Sequence, residues 1–190
     1  GTVITRAERA DLKGYGDLLE QRLMIPDKSA FAGWQVPLTE ARTAGIDLLN
    51  DTREIIEVKN QEKVVEGVLA GQADAGFVRS DLIESMAAKG KIDLAALRVV
   101  GARSTPNFPY AHSTQLYPHW PFARLDHVSD DLTRDLLMTL LELKPEDPAA
   151  HASGIYGWTL PHNYQSVHDL FLEFRLGPYA DLPVRLSDVM

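Results

Sequence analysis

The amino-acid sequence of this 190-residue chain predicts an α/β fold with a largely parallel sheet. Short apolar runs alternate with segments of helical periodicity, and the connections between them are short, as in parallel α/β layers. Residues 73–78 form a run of small and apolar residues, which is typical of a strand buried on both faces. Polar turns follow three of the predicted strands, at the edge where such folds bind their ligands.

The first hundred residues alternate between strand and helix patterns. Strands are predicted at residues 3–5, 22–25, 54–58, 73–78 and 97–100. Helices are predicted at residues 34–44, 61–70 and 80–88. Pro37 falls in a first helical turn, where its missing N–H costs little, and Asn60 is a preferred N-cap residue. Gly45 and Gly71 are natural helix stops.

After Gly101 the composition changes. Residues 102–124 combine four prolines with five aromatic residues, which favours a crossover segment over a solvated linker. Ser129 then caps a strongly patterned helix. Its apolar stripe comprises Leu132, Leu136, Leu137, Leu140 and Leu141. A last helix is predicted at residues 166–176, with its apolar side chains turned inward.

Composition excludes several functional classes. The formal net charge of −8 and a pI near 5.2 argue against non-specific nucleic-acid binding, but not against a small anionic ligand. The absence of cysteine excludes disulfides, thiolate chemistry and Cys-based zinc sites. No apolar run approaches the ~20 residues of a membrane helix. Residues 1–3 carry no signal pattern, so if the protein is exported or membrane-tethered, the segments responsible lie outside this sequence.

Residues 27–35 predict a binding turn between a strand and a helix. A helix N-terminus attracts anions, so Ser29 and the neighbouring backbone N–H groups are candidates for holding one. The alternative is that Ser29 only caps the helix and Gly33 only turns the chain. The turns at residues 60–61 and 79–80 follow the next predicted strands, so three polar turns are expected at one edge of the sheet, which favours a binding site.

Several strings in the sequence occur together in one order. They are SAFAGWQ at residues 29–35, GQADAGFVRSD at 71–81, HST at 112–114, LYPHWPFA at 116–123, and the stretch from Trp158 through Tyr164 to Gly177-Pro178-Tyr179. This ordered set resembles the phosphonate-binding-protein-like sensor domains of bacterial membrane histidine kinases. Tetrathionate sensor kinases are among them, and the periplasmic solute-binding proteins of ABC transporters are their relatives.

The resemblance implies a periplasmic-binding-protein-like fold of two α/β lobes joined by crossover strands, with a ligand between them. Residues 5–103 would form the second lobe. Residues 1–4 and 104–190 would form the crossover and the C-terminal part of a partial first lobe, whose N-terminal portion the sequence lacks. Such a lobe is expected to be less stable, or to complete itself by dimerisation or swapping.

The resemblance also implies the ligand-binding residues. They are Ser29, Ala30, Phe31, Gly33, Trp34, Gln61, Arg79, His112, Ser113, Thr114 and Tyr117. Arg79 would offer a bidentate fork to an oxyanion, and the alternative is a surface ion pair with Asp81 or Glu84. Trp34 and Tyr117 would line the cleft, and the alternative for both is core packing. Gln61 stands where transporter-type relatives tend to have a histidine, so the ligand chemistry is expected to differ there.

The expected function is ligand sensing in the periplasm by a membrane-bound histidine kinase. Its expected partners are a small anionic solute, the kinase module and membrane helices of the same polypeptide, and a second copy in a homodimer. A solute-binding component of an ABC transporter is the alternative, and the residues that follow Met190 would distinguish the two.

An enzyme is not expected, because the sequence has no HExxH, GxSxG or phosphate-loop pattern, and neither a cofactor nor a resident metal is predicted. A metal site that uses His119 and His127 has only weak support.

Overall fold

A computed structural model describes residues 1–118 and 120–181. The chain divides into two compact units. Residues 1–116, with the described residues from 170 onward, form what we call the sheet unit. Residues 117–169 form what we call the helical unit. The predicted division into lobes at residues 5–103 and 104–190 stays a prediction.

The sheet unit is built on five strands. They are β1 (Thr2–Arg6), β2 (Arg22–Ile25), β3 (Glu54–Glu57), β4 (Ala75–Val78) and β5 (Leu97–Val100), in the spatial order β3-β2-β4-β1-β5. Strand β2 pairs in parallel with β3 and β4, whereas β1 pairs antiparallel with β4 and β5. Four strands therefore share one direction and β1 opposes them. The α/β fold class is confirmed, with a mixed sheet.

Three helices cover this sheet. They are α1 (Val36–Thr43), α2 (Gln61–Leu69) and α3 (Leu82–Ala88). A π-helical turn, Phe31–Gln35, precedes α1, so the helical stretch begins earlier than the sequence predicts. Asn60 caps α2 as expected, because its side-chain oxygen accepts hydrogen bonds from the Glu62 and Lys63 N–H groups at 2.8 and 3.3 Å. Gly71 ends α2 with a φ of +71°, a conformation that favours glycine.

Hydrophobic residues are buried on both faces of the sheet. Val3 and Phe77 belong to the cluster beside α1, whereas Ile4 and Val78 belong to the cluster beside α2 and α3. Neighbouring residues of one strand point to opposite faces, so this division follows from the strand geometry. The sheet is therefore covered on both sides, as the apolar pattern of residues 73–78 predicts.

The helical unit contains α4 (Asp130–Glu142), α5 (Pro148–Ser153) and the start of α6 (Gln165–Glu173). Ser129 caps α4 as predicted, and its hydroxyl accepts a hydrogen bond from the Leu132 N–H at 3.3 Å. In α6, Leu170 alone is fully buried, so the predicted inward packing of the last helix is only partly observed. No helix in the described ranges is long and apolar enough to cross a membrane.

Candidate functional site

A cavity of about 420 Å³ opens at the carboxyl ends of β2, β3 and β4 in the sheet unit. Residues of all three predicted turns line it: Ala30 from the first, Asn60 and Gln61 from the second, and Arg79 from the third. The remaining lining residues are Pro26, Asp27, Lys59, Glu62, Leu82, Ser85 and Lys89. The expected convergence of three polar turns is thus present, because parallel strands end at one edge of the sheet.

The side chain of Gln61 is held against the turn that follows β4. Its Oε1 accepts a hydrogen bond from the Arg79 backbone N–H at 2.7 Å. Since this bond uses the amide oxygen, the Nε2 group is the half that can donate to a ligand. Gly33 lies beside it: a Cβ at Gly33 would be 3.6 Å from Gln61 Cδ and 2.9 Å from Pro26 Cγ. Glycine at this position therefore lets the π-helical turn approach Pro26 and Gln61.

The guanidinium of Arg79 lies at the cavity but is paired. Its Nε donates to Asp81 Oδ1 at 2.8 Å, and both side chains are partly exposed. The alternative role that the sequence suggests for Arg79, a surface ion pair with Asp81, is therefore present in the structure. An exposed pair of this kind contributes little stability, so a ligand oxyanion could compete with Asp81 for the same fork.

Two lysines add positive charge to the cavity wall. Lys59 Nζ lies 3.4 Å from Glu57 Oε2. Lys89 also lines the cavity, and it forms no ion pair with any residue that the structure describes. Lys91 Nζ donates a hydrogen bond to Glu62 Oε2 at 2.7 Å, and this bond lowers the pKa of the Glu62 carboxyl. Much of the negative charge at this edge is thus compensated, which favours an anionic occupant over a cationic one.

One face of α3 contributes residues that the sequence reasoning missed. Leu82, Ser85 and Lys89 are spaced at i, i+3 and i+7, so they share a helical face, and all three line the cavity. That spacing was visible in the sequence. What the sequence lacked was the direction of this face, which depends on how α3 packs on the sheet.

Ser29 is exposed, and its polar groups turn toward Asp27. The Ser29 N–H donates to Asp27 Oδ1 at 2.8 Å, and its hydroxyl donates a short hydrogen bond to the same oxygen. The hydroxyl hydrogen bond holds the pKa of the Asp27 carboxyl below its usual range. Asp27 lines the cavity and Ser29 does not, and the ligand contact expected of Ser29 stays a prediction.

The aromatic residues of the first turn pack on other side chains. Trp34 is 2% exposed and makes a T-shaped contact with Phe77, with ring centroids 5.6 Å apart. This is the core packing considered as its alternative role. Phe31 is half-buried and meets the Phe171 ring edge-on at 6.0 Å. Neither residue lines the cavity.

The segment His112-Ser113-Thr114 is buried beside the start of β1, and none of its residues lines the cavity. The Ser113 hydroxyl accepts from the Val3 N–H at 2.9 Å and donates to the Val100 carbonyl at 2.7 Å. The imidazole of His112 lies 3.0 Å from both Thr105 Oγ1 and the Tyr110 carbonyl. In this structure the segment ties the crossover to β1 and β5.

Two further sequence expectations concern residues outside the sheet unit. Tyr117 is the first residue of the helical unit and is half-buried. His119 lies outside the described residues, so its proposed pairing with His127 stays a prediction. Among the described residues, no group of three or more His, Asp or Glu side chains could hold a metal ion.

A second depression, of about 650 Å³, lies at the opposite edge of the sheet. Leu19, Glu20 and residues 50–53 line it, at the amino ends of β2 and β3. It contains none of the sequence-predicted residues and one basic side chain, Arg53. The charged cavity at the carboxyl edge is therefore the stronger candidate for an anion.

Sequence comparison identifies a family and a relative. The family described as "ABC transporter, phosphonate, periplasmic substrate-binding protein" matches residues 1–163. The tetrathionate sensor histidine kinase TtrS of Salmonella typhimurium is 26% identical over 178 residues. The match covers 94% of this chain but only 29% of that kinase, so the chain corresponds to less than a third of its length.

Two solved structures share the fold. PhnD1 from Prochlorococcus marinus, in complex with methylphosphonate, superimposes with a TM-score of 0.64 at 11% identity. The alignment covers 92% of this chain and 66% of PhnD1. A binding-protein component of an ABC phosphonate transporter from Pseudomonas aeruginosa gives a TM-score of 0.61 at 12% identity, covering 90% of this chain and 56% of that one. At these identities the likeness establishes the fold of periplasmic binding proteins.

Proposed function

Since the chain belongs to the family of periplasmic substrate-binding proteins of phosphonate ABC transporters, we propose that it is the extracytoplasmic ligand-sensing domain of a membrane-bound histidine kinase. It would bind a small oxyanion in the cavity at the carboxyl ends of β2, β3 and β4. The observation that carries this proposal is the convergence of Gln61, Arg79 and Lys89 on one cavity.

These three side chains suit an oxyanion for complementary reasons. Gln61 is oriented by its 2.7 Å bond from the Arg79 N–H, so its Nε2 would donate to a ligand oxygen. Arg79 has a planar fork that matches two oxygens of a phosphonate, sulfonate or carboxylate. Lys89 supplies a positive charge at the cavity wall, beside the Glu62 carboxylate whose pKa it helps to lower. Sequence-predicted contacts from Ser29 and from His112, Ser113, Thr114 and Tyr117 would require a ligand-bound rearrangement.

The sensor context rests on the tetrathionate sensor kinase, whose similarity covers 94% of this chain. In such a protein, ligand binding would bias the membrane helices and the kinase module. The bias cannot exceed the difference in ligand affinity between the two signalling states. The alternative, a transporter's solute-binding component, is favoured by the description of the family itself. A membrane helix and kinase module encoded after Met190 would support the sensor, and a stop codon there would support the transporter component.

Calorimetric titration tests binding directly. The panel would contain phosphate, methylphosphonate, tetrathionate, an alkyl sulfonate and a small carboxylate. We expect heat of binding for one class of oxyanion, together with an upward shift of the thermal midpoint. Absence of binding across the panel by the full gene product would contradict the proposal.

Variants at Arg79 separate ligand binding from surface pairing. Arg79→Ala should weaken the bound oxyanion by about tenfold or more, because it removes a charge-assisted hydrogen bond worth roughly 1.5–3 kcal/mol. Asp81→Asn removes the competing charge and keeps a residue tolerant of the φ of +78° at this position, so affinity should rise. If neither variant changes affinity, Arg79 serves only its ion pair with Asp81.

Two lysine variants separate the effect of a positive charge at the cavity from the effect of net charge. Lys89→Met removes a cation from the cavity wall, and Lys63→Met removes one from the exposed surface of α2. We expect a several-fold loss of affinity for the first variant and little change for the second, because an exposed charge farther from the ligand is screened by salt. Equal effects would mean that Lys89 acts only through net charge.

A further inference from the structure

Asp27 lines the candidate cavity, but the proposed function gives it no role. It follows β2 by two residues and shares the cavity wall with Arg79 and Lys89. Arginine and lysine donate hydrogen bonds to an oxyanion, whereas an ionised carboxylate only accepts them and repels negative charge. A carboxylate in the wall of an anion site therefore restricts which anions can bind there.

The Asp27 carboxylate is held in place by its own turn. Its Oδ1 accepts a hydrogen bond from the Ser29 hydroxyl and another, of 2.8 Å, from the Ser29 N–H, which is the pattern of an Asx-turn. These two bonds and the positive charge of Lys59 hold the pKa of the carboxyl below its usual range, so Asp27 is ionised at neutral pH. A carboxylate can accept about four hydrogen bonds, so acceptor capacity remains for a ligand.

The two carboxylates of the cavity wall differ in their partners. Glu62 accepts a hydrogen bond from Lys91 at 2.7 Å, so a basic side chain partners it. Asp27 forms no ion pair with any residue that the structure describes, and its side-chain hydrogen bonds come from the neutral groups of Ser29. A further donor to Asp27 would therefore have to come from the ligand.

The balance of charge in the wall favours a monoanion. Three lining residues are basic, namely Lys59, Arg79 and Lys89, and two are acidic. One positive charge is therefore in excess, which a monoanion neutralises and a dianion exceeds. Lys59 and Arg79 are in addition paired with Glu57 and Asp81, which weakens their attraction for a second negative charge.

We propose that Asp27 makes the site selective for oxyanions that retain an acidic proton, such as the monoanions of phosphonates and of phosphate. This inference rests on the proposed oxyanion site. In this arrangement the ligand hydroxyl donates to the Asp27 carboxylate, and the unprotonated oxygens accept from Gln61, Arg79 and Lys89. Sulfonates and tetrathionate carry no such proton at neutral pH. One of their oxygens faces Asp27 without a donor between them, which disfavours their binding.

Methylphosphonate and methanesulfonate test this selectivity, because the two anions have nearly the same shape and differ in the acidic proton. In calorimetric titrations of the full gene product at slightly acidic pH, methylphosphonate should bind about tenfold more tightly or better, as expected for a hydrogen bond to an ionised group. Asp27→Asn keeps an oxygen for the Asx-turn and adds an amide N–H that donates to unprotonated oxygens. The preference should then fall to about threefold or less, because the amide accommodates both anions.

Asp47→Asn is the matched control. Asp47 forms the same kind of turn, since its Oδ1 accepts from the Leu49 N–H at 3.0 Å, but it does not line the cavity. The control makes the same change in net charge and in turn chemistry, so it should keep the wild-type preference for methylphosphonate. An equal loss of preference in both variants would overturn the inference, because net charge alone would then explain it.

The pH dependence of binding separates a ligand contact from a structural role. Raising the pH through the last ionisation of methylphosphonate removes the proton that Asp27 requires, so affinity should fall in the wild type and much less in Asp27→Asn. A parallel fall in the two proteins would overturn the inference, since the other charged groups around the cavity are the same in both. Those groups are Lys28, Glu57, Lys59, Glu62, Arg79, Asp81, Lys89 and Lys91.

Three further results would also overturn the inference. Equal wild-type affinity for methanesulfonate and methylphosphonate would refute the selectivity and leave the oxyanion site intact. An Asp27-dependent preference for 2-aminoethanesulfonate over ethanesulfonate would identify an ammonium group, rather than an acidic hydroxyl, as the donor to Asp27. Absence of binding by every anion would refute the proposed oxyanion site itself, and this inference with it.

Discussion

Helices α2 and α4 carry similar amphipathic patterns and differ in what covers them. In α2, Val64, Val65 and Val68 are all 0% exposed, because the helix lies on the sheet. In α4, no residue is fully buried. Both helices are capped as their sequences predict, by Asn60 and Ser129. The comparison teaches that a pattern specifies a helix and its apolar face, whereas the stability gained from that face depends on a partner surface.

The largest expected effect comes from placing a charge on each apolar face. Val68→Asp would bury an unpaired carboxylate, so we expect a loss of about 3–5 kcal/mol or failure to fold. Leu136→Asp in the 190-residue chain should change stability by about 0.5 kcal/mol or less, as exposed substitutions do. Urea unfolding in a Trp120→Phe, Trp158→Phe background, where buried Trp34 is the single remaining tryptophan, would measure both by fluorescence. Equal losses would contradict the difference between α2 and α4.

Packing density in the sheet unit gives the next largest effect. A Cβ at Gly76 would lie 2.6 Å from Val64 Cγ1 and 2.7 Å from Val68 Cγ2. Gly76→Ala should therefore cost about 1–3 kcal/mol, because the overpacked core must shift. Gly14→Ala is the control, since no atom lies within 4 Å of its Cβ position. A neutral Gly76→Ala would mean that α2 can move away from β4 at little cost.

Removal of the Asn60 cap should lower global stability, whereas removal of the Ser129 cap should affect only α4. Asn60→Ala removes two hydrogen bonds to N–H groups of α2 and should lower global stability by about 1 kcal/mol. Asn60→Asp keeps the cap and should restore that stability. Ser129→Ala should increase hydrogen exchange within α4 while leaving the Trp34-monitored midpoint unchanged, because α4 contributes little buried surface. A matching fall in that midpoint would mean that α4 unfolds together with the sheet unit.

The smallest effect concerns pH. Burial by itself raises the pKa of Asp74, but hydrogen bonds from Arg22 and the charge of Arg9 outweigh it, so the folded-state pKa lies below the usual value. A lowered folded-state pKa stabilises the protein above the unfolded-state value of about 3.9, and this contribution is lost as pH falls through the folded-state pKa. Asp74→Asn should flatten the fall in stability on acidification. Asp131→Asn, in an exposed ion pair with Arg134, is the matched control and should change stability by less than about 1 kcal/mol.

Much of the sheet unit could be predicted from local sequence. The predicted strands at residues 22–25 and 97–100 coincide with β2 and β5, and the cap at Asn60 is observed. The edge at which polar turns meet was also predictable, because it follows from strand direction. The π-helical turn was missed, since Phe31–Gln35 carries no pattern that distinguishes it from an ordinary first turn.

The candidate site was predictable only in outline. The turns supplied Gln61 and Arg79, but Ser85 and Lys89 reach the cavity through the packing of α3. Conversely, the local sequence does not distinguish two roles for Trp34 and residues 112–114. Aromatic and polar residues of this kind can line a ligand cavity, and they can equally be buried in the core and hydrogen-bonded there. Their side chains pack into the core or hydrogen-bond to β1 and β5. Sequence does not reveal which neighbours a buried polar group will find.

The sequence by itself determined the α/β class, most element boundaries and the edge of the sheet that carries the cavity, because these depend on periodicity, caps and turn residues acting over a few positions. The tertiary structure decided which side chains face the cavity, that Arg79 pairs with Asp81, and that no residue of α4 is fully buried. These outcomes depend on contacts between residues far apart in sequence, and burial is a property of such contacts rather than of any local pattern.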